Sequence, residues 1–413
     1  MNILPADLLI RNARLPTSEE PVHLAIRDEA IAAIGRELRC EAVEIVDAEG
    51  ALACGGFVDS HIHLDKACIL DRCRICEGTL AEAVRETARA KASFTEADVY
   101  ARAARVVEQA IIQGTMAMRS FVEVDPRAGL RSFEAVKRVR RDYAFAIDIE
   151  ICAFVQEGLT NEPETLGLLN EALAGGADLV GGAPYTDPDP AGQISLIFDL
   201  AQAHGVAADF HLDFDLAPEK SNLPVVLKET IRRGWQGRVS LGHMTSLSAR
   251  PSHEVEAIAT GLREAGIAVV ALPATDLFLN GREYERLVPR GVAPTHILAL
   301  RGVNASIATN NILNPFTPFG DASLLRMANL YANVVQLSRT EHLRLVFDMI
   351  GPLAARGMRR ASGLSVGAAA DIVLIDCVTP EQAIRENSRV IRGWKRGRPT
   401  FRTTRPEIIR RDY

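Results

Sequence analysis

Eight short apolar runs, alternating with segments whose apolar residues recur at three and four, succeed one another through the middle of this chain. That alternation constrains the fold more than any other feature. It predicts strands at the run that ends in His61-Ile-His63 and at Met116–Val124, Ala144–Phe154, Leu179–Ala183, Val206–Asp213, Val239–His243, Ala268–Ala271 and Ser306–Asn310. The segments between them include expected helices over Thr79–Lys91, Glu96–Gln113, Ser132–Asp142, Glu162–Leu173, Ala191–His204, Leu223–Arg233 and His253–Ala265, with a further helix at Ser323–Val335. Repeated strand–helix units of this kind close into an α/β architecture, a (β/α)8 TIM barrel, with its chemistry at the C-terminal ends of the strands. His63, Gln156, His211, His243 and Asn310 all fall at such ends.

The flanks read differently. Short strands separated by turn residues occupy the first fifty residues, and the pattern returns after Gly367 in Asp371–Asp376 and around Val390. The two chain ends are therefore expected to build one small β-sandwich, residues 1–55 with 361–413, around a barrel of residues 56–360. With 413 residues, 47% hydrophobic and 24% charged, the chain has material for both. A formal charge of −6 and 5% aromatics argue against a nucleic-acid partner. The start of the chain shows no signal-peptide pattern, and no run reaches the ~18 apolar residues of a membrane span, so a cytoplasmic protein without a membrane partner is expected. Homo-oligomerisation is left open. Seven cysteines make no disulfide framework, and Cys73 and Cys76 lack the second pair that a structural zinc site needs.

The first barrel strand ends in His61-Ile-His63. Residues two apart in a strand share a face, so both imidazoles point to one place. Two imidazoles at the end of a buried strand are costly to desolvate without partners. His211 and His243 stand at corresponding places on later strands, whereas His23, His204, His253, His296 and His342 read as structural. Lys66 follows three residues after His63, placed either to reach an anionic substrate or to form a loop ion pair.

The stretch Gly55–Lys66, then Phe154-Val-Gln-Glu-Gly158, His211-Leu-Asp213, Gly242-His243, Asn280-Gly-Arg282 and Asn314-Pro-Phe-Thr-Pro-Phe-Gly-Asp321 together resemble the amidohydrolase superfamily. Within it the chain is similar to the cytosine deaminase branch and to N-isopropylammelide amidohydrolases. The resemblance implies one divalent metal ion, zinc or iron, held by His61, His63 and His211. It implies that His243 polarises the substrate or the attacking water and that Gln156 bonds a polar ring edge. The implied reaction is hydrolysis of a non-peptide carbon–nitrogen bond in a small, heterocyclic substrate.

Two departures bear on that reaction. The family's carboxylate at the end of the eighth strand is replaced by Asn310, an amide that cannot take a proton at neutral pH. The proton-shuttling Glu three residues after the third His is replaced by Phe214. If strand alternation continues past His211, Asp213 faces the same way and is either a substitute base or a carboxylate that orients an imidazole. Asp276 is a further candidate base. The alternatives are a degenerate barrel that binds a small molecule without turnover, and a lyase or isomerase that needs no water-activating carboxylate.

Overall fold

The computed structural model describes residues 4–18, 20–404, 406, 408 and 409. Four strands come first: β1 (Leu4–Ala13), β2 (Val22–Arg27), β3 (Ala30–Gly35) and β4 (Cys40–Asp47). They form one sheet in the order β3-β2-β1-β4. β5 (Leu52–Gly55) leaves that sheet and joins a second one, completed from the far end of the chain.

Between these lie the barrel strands: β6 (Phe57–Ile62), β7 (Thr115–Glu123), β8 (Asp148–Val155), β9 (Leu179–Gly182), β10 (Ala207–Leu212), β11 (Val239–His243), β12 (Ala268–Ala271) and β13 (Ala305–Ile307). They make an eight-stranded sheet in strict chain order, and neighbouring strands pair in parallel. β6, β7, β10 and β11 are buried on both faces, as strands sandwiched between a filled interior and a helical layer must be. The helix Glu96–Ile112 shows the outer layer's logic. Thr95 caps it by accepting from the Asp98 N–H, and Val99, Ala103, Val106, Val107 and Ala110 form its buried stripe.

The last strands, β14 (Ile372–Ile375), β15 (Val390–Lys395) and β16 (Arg398–Arg402), complete the second sheet in the order β16-β15-β14-β5. Leu8, Ile10, Leu24 and Ile26 of the first sheet share one core with Ala53, Ile372, Leu374 and Trp394 of the second. Both chain ends thus pack into a single sandwich, as the strand pattern predicts.

Closure of the barrel is local. β13 is only three residues long, shorter than the expected Ser306–Asn310. Beyond it, Asn310 donates its N–H to the His61 carbonyl at 2.8 Å and accepts from the His63 N–H at 2.9 Å. Lower in the seam Ser60 meets Ser306, and Asp59 accepts from the Thr309 hydroxyl and N–H. The seam that joins the first and last strands therefore runs through the His-x-His segment.

Candidate metal centre

His61, His63 and His211 each place a ring nitrogen so that all three atoms lie within 4.8 Å of one another. All three side chains are buried, and burial drives their pKa values well below the ordinary range, so they are neutral imidazoles. Neutral imidazole is the form that binds a metal. Both nitrogens of His61, Nδ1 of His63, Nε2 of His211 and both amide atoms of Asn310 have no hydrogen-bond partner. An unsatisfied buried polar group costs about 1–3 kcal/mol. A divalent cation shared by one nitrogen of each imidazole, with the Asn310 amide oxygen nearby, would remove much of that cost, so the three imidazoles fit one.

The pocket's walls hold the rings in place. Phe121 stacks on His61 at 4.0 Å between centroids, and Phe154 lies 4.1 Å from His211. Gly242 is required by the approach of His61: a Cβ at that position would sit 2.7 Å from the ring. A small, tight pocket opens above, lined by His63, Lys66, Gln156, His211, His243 and Asn310 among others. Leu80, Leu279, Phe214 and Phe316 give it an apolar rim. Leu80 begins the helix Leu80–Lys91, whose cap Thr79 accepts from the Glu82 N–H. The Glu82 carboxylate in turn takes the N–H groups of Cys76, Glu77 and Gly78.

Of the residues expected at the site, seven converge: His61, His63, His211, His243, Asn310, Gln156 and Lys66. Asp213 does not join them. β10 ends at Leu212, and Asp213 takes a left-handed backbone with φ of 51°. That breaks the alternation, and the carboxylate instead accepts from the Ser221 hydroxyl and from the Asn222 N–H at 2.8 Å. The carboxylate that does meet an imidazole is Asp276, 2.6 Å from His243 Nδ1. Phe214 stands edge-on to His243, a hydrocarbon where a proton carrier was the family expectation.

Lys66 forms the ion pair foreseen as one of its two readings, and it also lines the pocket. Its ammonium donates to Glu123 at 2.6 Å, lies 3.5 Å from the Gln156 carbonyl oxygen and sits over the Phe316 ring. Behind it is a cluster the sequence reading missed. Lys91 donates to Glu123 at 2.7 Å and to Glu157 at 2.6 Å, and pairs with Asp125. The sequence offered only Glu123 and Asp125, two acidic residues at and just past the end of β7, which do not by themselves point to a partner. Those three carboxylates could also group around a cation, but the Lys91 ammonium already fills that place. Neither metal-capable group among the described residues contains a cysteine.

A family model described as the amidohydrolase family matches residues 132–401. The chain belongs to the amidohydrolase family. The N-isopropylammelide isopropyl amidohydrolase of Pseudomonas sp. (strain ADP) is 26% identical, with 95% of this chain and 96% of that one covered. A pterin deaminase of Rhizobium rhizogenes is 27% identical over 77% of this chain and 73% of its own. Among solved structures, 5-methylcytosine deaminase of Klebsiella pneumoniae with 5-fluorocytosine superposes with a TM-score of 0.92 at 27% identity, covering 97% and 99% of the two chains. Amidohydrolase barrels are thus the neighbours in shape as well as in sequence.

A single tightly bound metal ion per chain is the expected result of elemental analysis. The end of β9 reads Leu179-Val-Gly-Gly182 and offers no Lys to bridge a second ion, and Lys91 occupies the other anionic cluster. Two tightly held ions per chain would contradict this.

Proposed function

We propose that this amidohydrolase hydrolyses a non-peptide carbon–nitrogen bond in a small nitrogen heterocycle and releases ammonia or an amine. The observation that carries the reading is the set of unpartnered His61, His63 and His211 nitrogens beneath a small cavity that also presents Gln156 and Lys66. The relatives' names point to an ammelide, a pterin and a methylated cytosine, all small nitrogen heterocycles, which supports that substrate class here. One divalent ion, zinc or iron, would be held by the three imidazoles, with the Asn310 amide oxygen as a weak neighbour. When bound, it supplies Lewis acidity, which makes water a nucleophile at neutral pH.

The remaining chemistry belongs to the side chains. Gln156 offers a donor and an acceptor to a polar ring edge, and Lys66 donates to a carbonyl or anionic edge. Phe214, Phe316 and Leu279 exclude bulk water. His243 takes one proton as the water oxygen bonds to the ring carbon, and returns it to nitrogen as the carbon–nitrogen bond breaks. Neither Asn310 nor Phe214 performs that transfer. The division into a sandwich of residues 1–55 and 361–413 and a barrel of residues 56–360 belongs to the same proposal. So does a cytoplasmic location; no described helix is long and apolar enough to cross a membrane.

The test is an ammonia- and amine-release screen of the zinc- and iron-loaded protein over 5-methylcytosine, N-isopropylammelide and pterin. Turnover of any one that is abolished by chelation supports the reading. Saturable binding without turnover, with either metal, would favour the degenerate-barrel alternative that Asn310 and Phe214 suggest. Asn310→Asp restores a charged oxygen beside the ion and is expected to tighten zinc retention by roughly tenfold or more, the scale on which neighbouring groups tune metal sites. Unchanged retention in a competition titration would show that position 310 does not face the ion.

A further inference from the structure

We propose that Asp276 is a positioning residue for this site, fixing which nitrogen of His243 faces the substrate. The inference rests on the reading of His243 as the group that moves the proton. Asp276 is fully buried, and its Oδ1 lies 2.6 Å from His243 Nδ1. Its other oxygen accepts the Leu272 N–H at 3.2 Å, at the start of the helix Pro273–Leu279. The carboxylate is thus held from two sides, and the ring nitrogen meets it at one of them. An ionised carboxylate only accepts, so His243 Nδ1 carries the proton, and Nε2 is left as the acceptor toward the cavity that His243 lines.

Three further observations single out this pair. The other groups to which proton transfer falls in the family are a neutral amide, Asn310, and a hydrocarbon, Phe214. Asp213 is committed to Ser221 and Asn222. His243 itself sits in a left-handed backbone with φ of 71°, a conformation that a non-glycine residue rarely adopts without support from its surroundings. Asp276 sits in the first turn of the short helix after β12, one strand along from His243, so the pair also ties two neighbouring strand ends together.

The test reads the ring directly, by nitrogen NMR of zinc-loaded protein labelled at histidine, with His243→Gln used to assign the signal. The expected wild-type spectrum shows His243 protonated at Nδ1 and not at Nε2. A wild-type ring protonated at Nε2 alone overturns the proposal, whatever the activity. In Asp276→Asn the amide can turn its NH2 toward Nδ1, and the ring is expected to move its proton to Nε2. Zinc content should stay at the wild-type level. On the substrate that the screen identifies, kcat should fall by roughly 10²–10⁴-fold, the usual worth of a correctly poised acid–base group, with KM nearly unchanged. A switched tautomer with unchanged kcat also overturns it. If wild type turns over none of the three substrates, the functional reading fails, and the NMR result still decides the role of Asp276.

Discussion

Replacing Lys91 by Met is expected to destabilise the protein by about 3–5 kcal/mol, the cost of removing one partner from a buried ion cluster. Lys91 is 2% exposed, and its ammonium serves Glu123, Asp125 and Glu157 at once. Burial alone would push the Glu123 carboxyl up. The ammonium groups of Lys66 and Lys91 overcome that and hold it down at about 2. A depressed carboxyl stabilises the fold above its unfolded pKa and loses that contribution as the pH falls through the folded value. Without Lys91 the carboxylates must be charged at neutral pH with less compensation. The deficit is therefore expected to be largest at pH 7–8 and to shrink toward pH 4–5, where protonation relieves it. Urea unfolding of the variant across that range is the measurement. Wild-type stability at pH 8 would show that the cluster is not carrying the load its burial implies. Lys66 shares Glu123 with Lys91, so the variant also loosens the ammonium that faces the cavity.

The second large effect concerns the metal. His61→Ala and His211→Ala each remove one of three strong donors, and the Asn310 amide is too weak to replace either. Loss of an outer neighbour alone typically costs a metal site 10–100-fold. Loss of a direct donor is expected to exceed about 100-fold, leaving either variant without metal after dialysis against a mild chelator. Added zinc is expected to protect wild type against heat in proportion to site occupancy, and that expected gain should be missing in either variant. Asp213→Asn is the matched control, since its carboxylate faces Ser221 and Asn222, and it should keep full metal content. Full occupancy in His61→Ala would sink the assignment of the site.

The sequence carried most of this architecture because parallel barrel strands are buried on both faces and advertise themselves as apolar runs. His61 and His63 were legible for the same reason: they lie within or directly after a regular strand, where parity holds. Asp213 shows where that logic stops. One left-handed residue after Leu212 ends the alternation, and no periodicity reports where such a residue falls. β13 was overextended for a related reason, since the seam at Asn310 pairs by a single bridge and not by continued strand. The Lys91 cluster was illegible because its carboxylates come from after β8 and the end of β7, while Lys91 closes a helix. In sequence, a Lys in a last helical turn reads only as a favourable charge for the helix dipole.

The barrel seam has a consequence for how the molecule would hold the proposed ion. The backbone that joins first strand to last, through His61, His63 and Asn310, is the same backbone that carries two donors and the neighbouring amide. His211 adds a third anchor from the far side of the ring. An ion bound there works as a rivet across residues 61 to 310, tying distant parts of the chain at the one place where the barrel is joined by a bridge and not a ladder. Escape of the ion and parting of the seam are then one event seen from two sides, and each slows the other.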